Sequence, residues 1–259
     1  MTKLGYQHEH VKTDTLACKQ NENHTDPKKQ PRLEPILNLV FFDIDGTLLL
    51  SQGAGGRSIV RTMRSVFETK EEIARIEIHG QTDRGIATQL FQAHGIDDTE
   101  QNWNRFAAGY LEILGDELCR CEGSLLPGIP VLLPTLQANP NIELALLTGN
   151  LQKGAVKKIK HFGIETFFTW GGFGDRHRDR SDLAQNAMEL AASNIEIDRL
   201  ENIFVIGDTP NDIRCGKAIS ATTIAVATSD FSYNALRRHS PDFVLKDLSD
   251  LDQVVSILS

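Results

Sequence analysis

Short apolar runs recur along this chain, and segments with helical periodicity separate them, which restricts the folds that the chain can adopt. The runs cover residues 36–42, 142–147, 202–206, 222–226 and 243–245. The first is almost unbroken, which is typical of a strand buried on both faces of a parallel sheet. Helix-like segments at residues 152–161 and 182–193 lie between later runs. This alternation predicts an α/β fold with a doubly wound parallel sheet, a Rossmann-like core.

Residues 54–126 interrupt the alternation, because their apolar side chains recur at helical spacing with no comparable strand pattern between them. These side chains are Ile59, Val60, Met63, Val66, Phe67, Ile86, Leu90, Phe91, Trp103, Phe106, Tyr110, Ile113 and Leu114. We predict an α-helical cap domain at residues 54–126, inserted into an α/β catalytic core of residues 34–53 and 127–259. Glycines at 53, 55 and 56, and at 123 and 128, are candidate hinges for the cap.

The charge balance limits the partners that the chain can bind. Its 27 Lys and Arg stand against 35 Asp and Glu, a formal net charge of −8. Because such a field repels phosphate groups, we expect no nucleic acid and no membrane as partner. No run approaches the roughly 18 apolar residues of a membrane span. The four cysteines lack the spacing of zinc ligands and indicate a reduced, cytoplasmic protein.

Residues 1–33 are polar, with only scattered apolar side chains. Such a segment buries too little surface to offset the entropy of ordering it, so we predict a disordered tail. It also lacks the apolar core of a secretory signal.

Polar side chains follow three of the apolar runs. They form the clusters Asp43-Ile-Asp45-Gly-Thr47, Thr148-Gly-Asn150 and Gly207-Asp208-Thr-Pro-Asn-Asp212. Because the carboxyl ends of parallel strands share one edge of the sheet, we expect these clusters to meet there. Their four carboxylates would repel one another unless a cation joined them. Oxygen ligands and a small number of protein groups favour Mg²⁺.

Each cluster also has a purely structural interpretation. Asp45-Gly46 is a common hairpin turn, which would join two strands within residues 40–50. Thr148 or Asn150 would cap the following helix. Asp208 and Asp212 would be an N-cap and a first-turn acid of another helix. These alternatives are each plausible alone, but their coincidence at one sheet edge favours a functional site.

The order Asp-x-Asp-Gly-Thr, Thr-Gly-Asn and Gly-Asp-x-x-x-Asp resembles that of the haloacid dehalogenase-like (HAD) superfamily of hydrolases. The likeness extends from about residue 36 to residue 257 and is nearest to the phosphoglycolate phosphatase-like branch. That branch carries a helical cap between its first and second motifs, where residues 54–126 lie here. The segment His79-Gly-Gln-Thr-Asp83 is also similar to the cap loop of that branch.

The resemblance implies a role for each residue of the three clusters. Asp43 would be the nucleophile and form an aspartyl-phosphate. Asp45 would be the general acid and base. Mg²⁺ would bind Asp43, Asp208 and the backbone carbonyl of Asp45, with Asp212 acting indirectly or through water. The phosphate would bind the Thr148 hydroxyl and the backbone amides of Gly149 and Asn150, residues of the second cluster.

The family pattern includes a lysine between the second and last motifs. This chain departs from it, because no lysine occurs between Lys160 and Lys217. We expect Arg180 to replace it as a catalytic cation, with Arg178 and Arg176 as alternatives. In the cap, Thr82, Asp83 and Arg84 are candidates for contacts with the leaving group, although Thr82 or Asp83 could equally cap a helix.

These features together predict a Mg²⁺-dependent phosphatase that hydrolyses a small phosphate monoester, similar to phosphoglycolate or a sugar phosphate. We expect a monomer or a homodimer. Two alternatives stay open: a phosphomutase of the same fold, and a catalytically silent binding module that uses the metal site as a switch.

Overall fold

A computed structural model describes residues 37–259 of the chain; the tail predicted at residues 1–33 lies outside this range. The strands are β1 (Leu37–Phe42), β2 (Leu49–Leu50), β3 (Ser124–Leu125), β4 (Ile142–Thr148), β5 (Gly171–Phe173), β6 (Leu200–Gly207), β7 (Thr222–Val226) and β8 (Phe243–Leu245). The helices are α1 (Ala54–Val66), α2 (Asp83–Ala93), α3 (Glu100–Arg120), α4 (Ile129–Gln137), α5 (Gln152–His161), α6 (Arg180–Asn194), α7 (Pro210–Ala218), α8 (Tyr233–Arg237) and α9 (Leu251–Leu258).

Six of the strands form one parallel sheet in the order β5-β4-β1-β6-β7-β8. All residues of β1 are buried, because successive side chains enter cores on opposite faces of the sheet. Val40 and Phe42 belong to the core that contains apolar side chains of α4, α5 and α9. Leu39 and Phe41 belong to the core that contains those of α6 and α7. The predicted doubly wound α/β fold is therefore confirmed.

Burial of these side chains drives the assembly of the sheet. Leu39, Val40, Phe41 and Phe42 are completely inaccessible to solvent. Each apolar side chain of this size contributes about 1.5–3 kcal/mol when it is transferred from water to such a core. This rigid centre fixes the position of the residues that follow β1.

The helices α1, α2 and α3 occur between β2 and β3, which pair with each other in antiparallel register. Their shared core contains Met63, Phe91, Phe106, Tyr110 and Leu114. The rings of Phe91 and Phe106 meet edge to face at 5.9 Å, an arrangement that aromatic pairs favour. The helical content expected for residues 54–126 is thus observed.

Three of the glycines proposed as hinges lie at the start of α1. Gly53 is the N-cap of α1 in the left-handed conformation, at φ 76°. Gly55 and Gly56 lie in the first turn of α1 and are helical, so the role of these glycines as hinges stays a prediction. Within residues 37–259, no helix is both long enough and apolar enough to cross a bilayer.

Candidate active site

The carboxyl ends of β1, β4 and β6 bring the three sequence clusters to one cavity of about 590 Å³. Asp43 follows β1, Thr148 ends β4, and Asp208 follows β6. Side chains from the helices between β2 and β3, including Ile59 and Tyr110, line the same cavity. The site therefore lies where ligands bind in open α/β sheets, with residues of the predicted cap on its other side.

Three carboxylates are crowded together at one side of this cavity, two of them lining it and Asp212 buried behind them. Oxygen atoms of Asp43, Asp208 and Asp212 lie within 4.8 Å of one another, and all three side chains are buried. Burial raises the pKa of Asp43 to about 6, with further upward contributions from Asp212 and Asp45, while Arg180 opposes the rise. Burial and the charges of Asp212 and Asp43 raise the pKa of Asp208 well above its usual value. Buried oxygen ligands with excess negative charge fit a hard divalent cation.

Asp208 is held by hydroxyl groups and by the turn that follows β1. Thr47 donates a hydrogen bond to its Oδ1 at 3.1 Å, and Ser229 donates one to its Oδ2. Gly46 passes close to the same carboxylate: it has φ +84°, and a Cβ there would lie 2.3 Å from Asp208 Oδ2. Only glycine can meet both requirements. The hairpin alternative is wrong, because β1 pairs in parallel with β4 and β6.

Asp212 helps to cap helix α7 and also accepts a hydrogen bond from Arg180. Thr209 is the N-cap of α7, and Asp212 Oδ2 accepts hydrogen bonds from the Thr209 amide at 2.9 Å and the Thr209 hydroxyl at 2.7 Å. This is a capping box. The first-turn-acid alternative is therefore correct for Asp212, whereas Asp208 precedes the N-cap and does not cap the helix. The other oxygen of Asp212 accepts a hydrogen bond from Arg180.

Arg180 is the arginine that the structure brings to the carboxylates. Its Nη2 donates to Asp43 Oδ1 at 2.9 Å and to the Leu147 carbonyl at 3.1 Å, in addition to Asp212. The side chain is 5 % exposed, and its buried Nε has no hydrogen-bond partner among the described residues. Arg178 is directed elsewhere: it donates to Thr88 at 3.0 Å and to Asp98 at 2.9 Å.

Asp45 is paired with Lys158, a residue that the sequence analysis missed. Lys158 Nζ, from α5, donates to Asp45 Oδ2 at 2.5 Å and to Asn150 Oδ1 at 2.7 Å. Asn150 Nδ2 and Ser51 Oγ also donate to Asp45, at 2.8 Å and 3.3 Å. Although burial opposes ionisation, Lys158 and these hydrogen bonds lower the pKa of Asp45. These contacts therefore favour the charged form of the Asp45 carboxylate.

The position of Lys158 on its helix is the signal that could have revealed it. The buried side chains of α5 are Gly154, Ala155, Lys158 and Ile159, one face of the helix. A lysine within an apolar helical stripe needs a partner in the interior. Asp45 and Asn150 supply that partner here.

The Thr148-Gly-Asn150 segment does not cap α5. The N-cap is Leu151, which makes no side-chain cap hydrogen bond, so the helix-cap alternative is wrong. Thr148 Oγ1 instead accepts from Asn150 Nδ2 at 2.8 Å. The backbone amide of Leu151, the N-cap of α5, donates a hydrogen bond to Asp83 Oδ2 at 2.7 Å. Burial raises the pKa of Asp83 to about 6, an effect that the Leu151 amide and Lys158 partly oppose.

Two cap residues proposed for leaving-group contacts have structural roles instead. Thr82 is the N-cap of α2: its Oγ1 accepts from the Gly85 amide at 3.0 Å and donates to the Arg178 carbonyl at 3.2 Å. It is fully buried and does not line the cavity. Arg84 forms an ion pair with Asp98 at 2.7 Å. The expectation of leaving-group contacts is therefore corrected for these two, whereas Asp83 lines the cavity.

The comparisons with known proteins agree with this architecture. The profile described as "Hydrolase: haloacid dehalogenase-like hydrolase" matches residues 37–220. Pyrophosphatase PpaX of Bacillus pumilus (strain SAFR-032) is 27 % identical over 233 residues, which cover 86 % of this chain and 98 % of the relative. A hydrolase from Pseudomonas syringae has a TM-score of 0.65 at 21 % identity, covering 86 % of this chain and 100 % of its own.

A predicted phosphoglycolate phosphatase from Haemophilus somnus 129pt is also similar, with a TM-score of 0.62 at 20 % identity over 85 % of this chain and 98 % of its own. This chain belongs to the haloacid dehalogenase-like hydrolase family. The predicted resemblance and the predicted enzyme class, a hydrolase of the phosphatase type, are confirmed.

Proposed function

We propose that the protein is a Mg²⁺-dependent phosphatase that hydrolyses a small phosphate monoester through an aspartyl-phosphate on Asp43. The observation that carries the proposal is the position of two carboxylates in one cavity. Asp43 lies against Arg180, and Asp45, two residues later, lies against Lys158. One carboxylate is thus placed to attack phosphorus, and the other to exchange a proton with the leaving oxygen.

Asp43, Asp208 and the backbone carbonyl of Asp45 would hold Mg²⁺, with Asp212 fixed behind them by Thr209 and Arg180. The ion would supply positive charge to the phosphoryl oxygens and to the crowded carboxylates. The raised pKa values of Asp43 and Asp208 support this assignment, because burial and the neighbouring carboxylates disfavour the charged forms that a divalent cation would stabilise.

In the first step, a carboxylate oxygen of Asp43 bonds to phosphorus while the bond from phosphorus to the ester oxygen breaks. Asp45 gives its proton to that oxygen, and the alcohol leaves. In the second step, Asp45 takes a proton from water as the water oxygen bonds to phosphorus. The bond to Asp43 then breaks, and inorganic phosphate leaves. Lys158 favours the ionised form of Asp45, which is the form required for the second step.

Groups that bind the phosphoryl oxygens would come from the edge of the sheet. These are the Thr148 hydroxyl, the amides at Gly149 and Asn150, and Arg180, whose buried Nε has no partner among the described residues. An anionic oxygen is a suitable acceptor for each. We assign residues 34–53 and 127–259 to the catalytic core and residues 54–126 to a cap that selects the leaving group.

The test is phosphate release from a panel of phosphate monoesters, with pyrophosphate included because the PpaX relatives are named pyrophosphatases. Each substrate is assayed with Mg²⁺ and with a chelator. Mg²⁺-dependent release without a bisphosphate activator supports a phosphatase and excludes the phosphomutase alternative. No release from any substrate would favour the silent binding module.

A further inference from the structure

The half of the cavity that faces the cap differs in character from its floor. Its apolar side chains are those of Ile59, Ile78 and Ile86, together with Leu50 at the entrance to the cap, and the uncharged side chains of Gln52 and Gln81 also line it. Tyr110 lines the same half, and burial raises the pKa of its hydroxyl well above the usual value. The hydroxyl is therefore uncharged and offers a polar contact next to these apolar side chains.

Gly55 and Gly56 leave space in this half. A Cβ on Gly55 would lie 3.6 Å from both Lys158 Nζ and Tyr110 Oη, and a Cβ on Gly56 would lie 3.5 Å from Ile78 Cδ1. These are ordinary van der Waals distances, so each position has room for a methyl group, and the absence of a side chain removes no clash. This space lies next to Asp45, the residue that would protonate the leaving alcohol.

The cations of the cavity are already engaged. Within residues 37–259, the lysine and arginine side chains that line it are Lys158 and Arg180. Arg180 is bonded to Asp43 and Asp212. Lys158 is bonded to Asp45 and lies close enough to Asp83 to lower its pKa.

His79, at the rim, faces Asp230 at 3.0 Å. The carboxylates of Asp83 and Asp230 also line the cavity. An anionic group on the leaving alcohol would therefore meet carboxylates rather than an available cation.

We propose that this site is selective for phosphate esters whose leaving alcohol is uncharged and carries an apolar face. The inference rests on the proposed phosphatase function and deepens it. It separates the substrate class from carboxylated esters such as phosphoglycolate and from pyrophosphate, because both place a second anion in the cap half of the cavity. Like charges in such a site oppose binding in the ground state and in the transition state alike.

The experiment compares kcat/KM for two matched substrates, 2-hydroxyethyl phosphate and 2-phosphoglycolate, which differ in a hydroxymethyl group against a carboxylate. Benzyl phosphate adds an apolar face without charge. We expect 2-hydroxyethyl phosphate to exceed phosphoglycolate by at least about tenfold, the scale of one unpaired like-charge contact. Benzyl phosphate is expected to exceed both.

A variant moves the selectivity in a predictable direction. Ile78→Arg brings a cation into the cap half and should narrow or reverse the preference within the matched pair. Ile76→Arg is the control, because Ile76 is also a half-buried cap residue but does not line the cavity. It should leave the ratio unchanged. Thermal melting of both variants checks that they fold.

Equal rates for the matched pair, or faster hydrolysis of phosphoglycolate or pyrophosphate by the wild-type protein, would overturn the inference while leaving the phosphatase function intact. Absence of Mg²⁺-dependent hydrolysis of every ester would instead contradict the proposed function itself. The wild-type ratio alone decides between these results if Ile78→Arg does not fold.

Discussion

Lys158 Nζ lies 2.5 Å from Asp45 Oδ2, and Lys158 is 3 % exposed, whereas the side chain of Asp45 is 40 % exposed. The ammonium is therefore fixed within the protein, and the carboxylate it holds is open to the cavity. This geometry gives Asp45 a defined orientation and favours its ionised form. The proposed general acid and base therefore has a charged partner on α5.

Replacing Lys158 by Met keeps much of the side-chain volume and removes the charge. We expect kcat to fall by roughly 10–10²-fold, within the range for disturbed general acid–base catalysis, because ionised Asp45 must take a proton from water in the second step. That step is the same for every ester, so aryl and alkyl phosphates should lose activity to a similar extent wherever it limits turnover. Steady-state kinetics with a series of leaving groups measures the loss, and Lys157→Met, at an exposed neighbouring position, is the control.

A double-mutant cycle separates this role from general destabilisation. If Lys158 acts through Asp45, adding Lys158→Met to Asp45→Asn should cause little further loss. Independent, multiplicative losses would show that Lys158 acts elsewhere.

Arg180→Ala should reduce turnover by about 10²-fold or more, the effect of losing one preorganised charge donor. Because this change also leaves buried carboxylates without their partner, stability must be measured in parallel. Arg180→Lys should restore part of the activity, since it restores the charge without the planar fork. Arg178→Ala, which removes the contacts with Thr88 and Asp98, should retain near-normal kcat. Equal sensitivity at both positions would contradict the assignment of Arg180.

Gly46→Ala should weaken Mg²⁺ binding, because the added methyl group would occupy space next to Asp208 Oδ2. A loss of about tenfold or more in affinity is expected for displacement of a metal ligand. Gly95→Ala is the matched control: Gly95 also has positive φ, at +64°, but nothing lies within 4 Å of its Cβ position. Titration calorimetry of both variants with Mg²⁺ should show a loss of affinity at position 46 alone. Unchanged affinity there would argue against Asp208 as a ligand.

The contribution of Asp43 to the stability of the metal-free protein should decrease as pH rises from about 4 to 7. The folded-state pKa of Asp43, about 6, exceeds its ordinary value of 3.8, so in this window the folded protein retains a proton that the unfolded chain releases. Its favourable contribution is present below the ordinary value and is lost as pH rises through about 6. Mg²⁺ should therefore raise the melting temperature more at pH 8 than at pH 5. An equal increase at both values would contradict this linkage.

The sequence was sufficient for the parts of the fold that depend on continuous patterns. The apolar run at residues 36–42 predicted β1, and the segment at residues 152–161 coincides with α5. β5 was not predicted, because it has only three residues and two of them are glycine. A glycine is needed at position 171 because the Leu146 carbonyl oxygen lies too close for a Cβ atom, and this requirement leaves no strand pattern in the sequence. Such a strand is specified by its neighbour in the sheet.

Site residues that follow the ends of strands were predictable from the sequence. The site residue that lies on a distant helix was not. Asp43 and Asp208 follow apolar runs, so topology alone brought them together. Lys158 reaches Asp45 across 113 positions of sequence, and the face of α5 was the only signal for it. Asp83 lines the cavity, and its pairing with the Leu151 amide was not predictable because it depends on how the helical segment packs on the core.

Chemical trapping of the phosphorylated protein shows whether Asp43 carries the phosphoryl group. Rapid quenching during turnover, followed by borohydride reduction, converts an acyl phosphate of aspartate to homoserine, which peptide mass spectrometry locates. We predict homoserine at position 43 in the wild-type protein with substrate and Mg²⁺, and none in Asp43→Asn or without substrate. Turnover without modification at position 43, together with Asp43→Asn activity within about tenfold of wild type, a loss far below that expected for a nucleophile, would contradict the account.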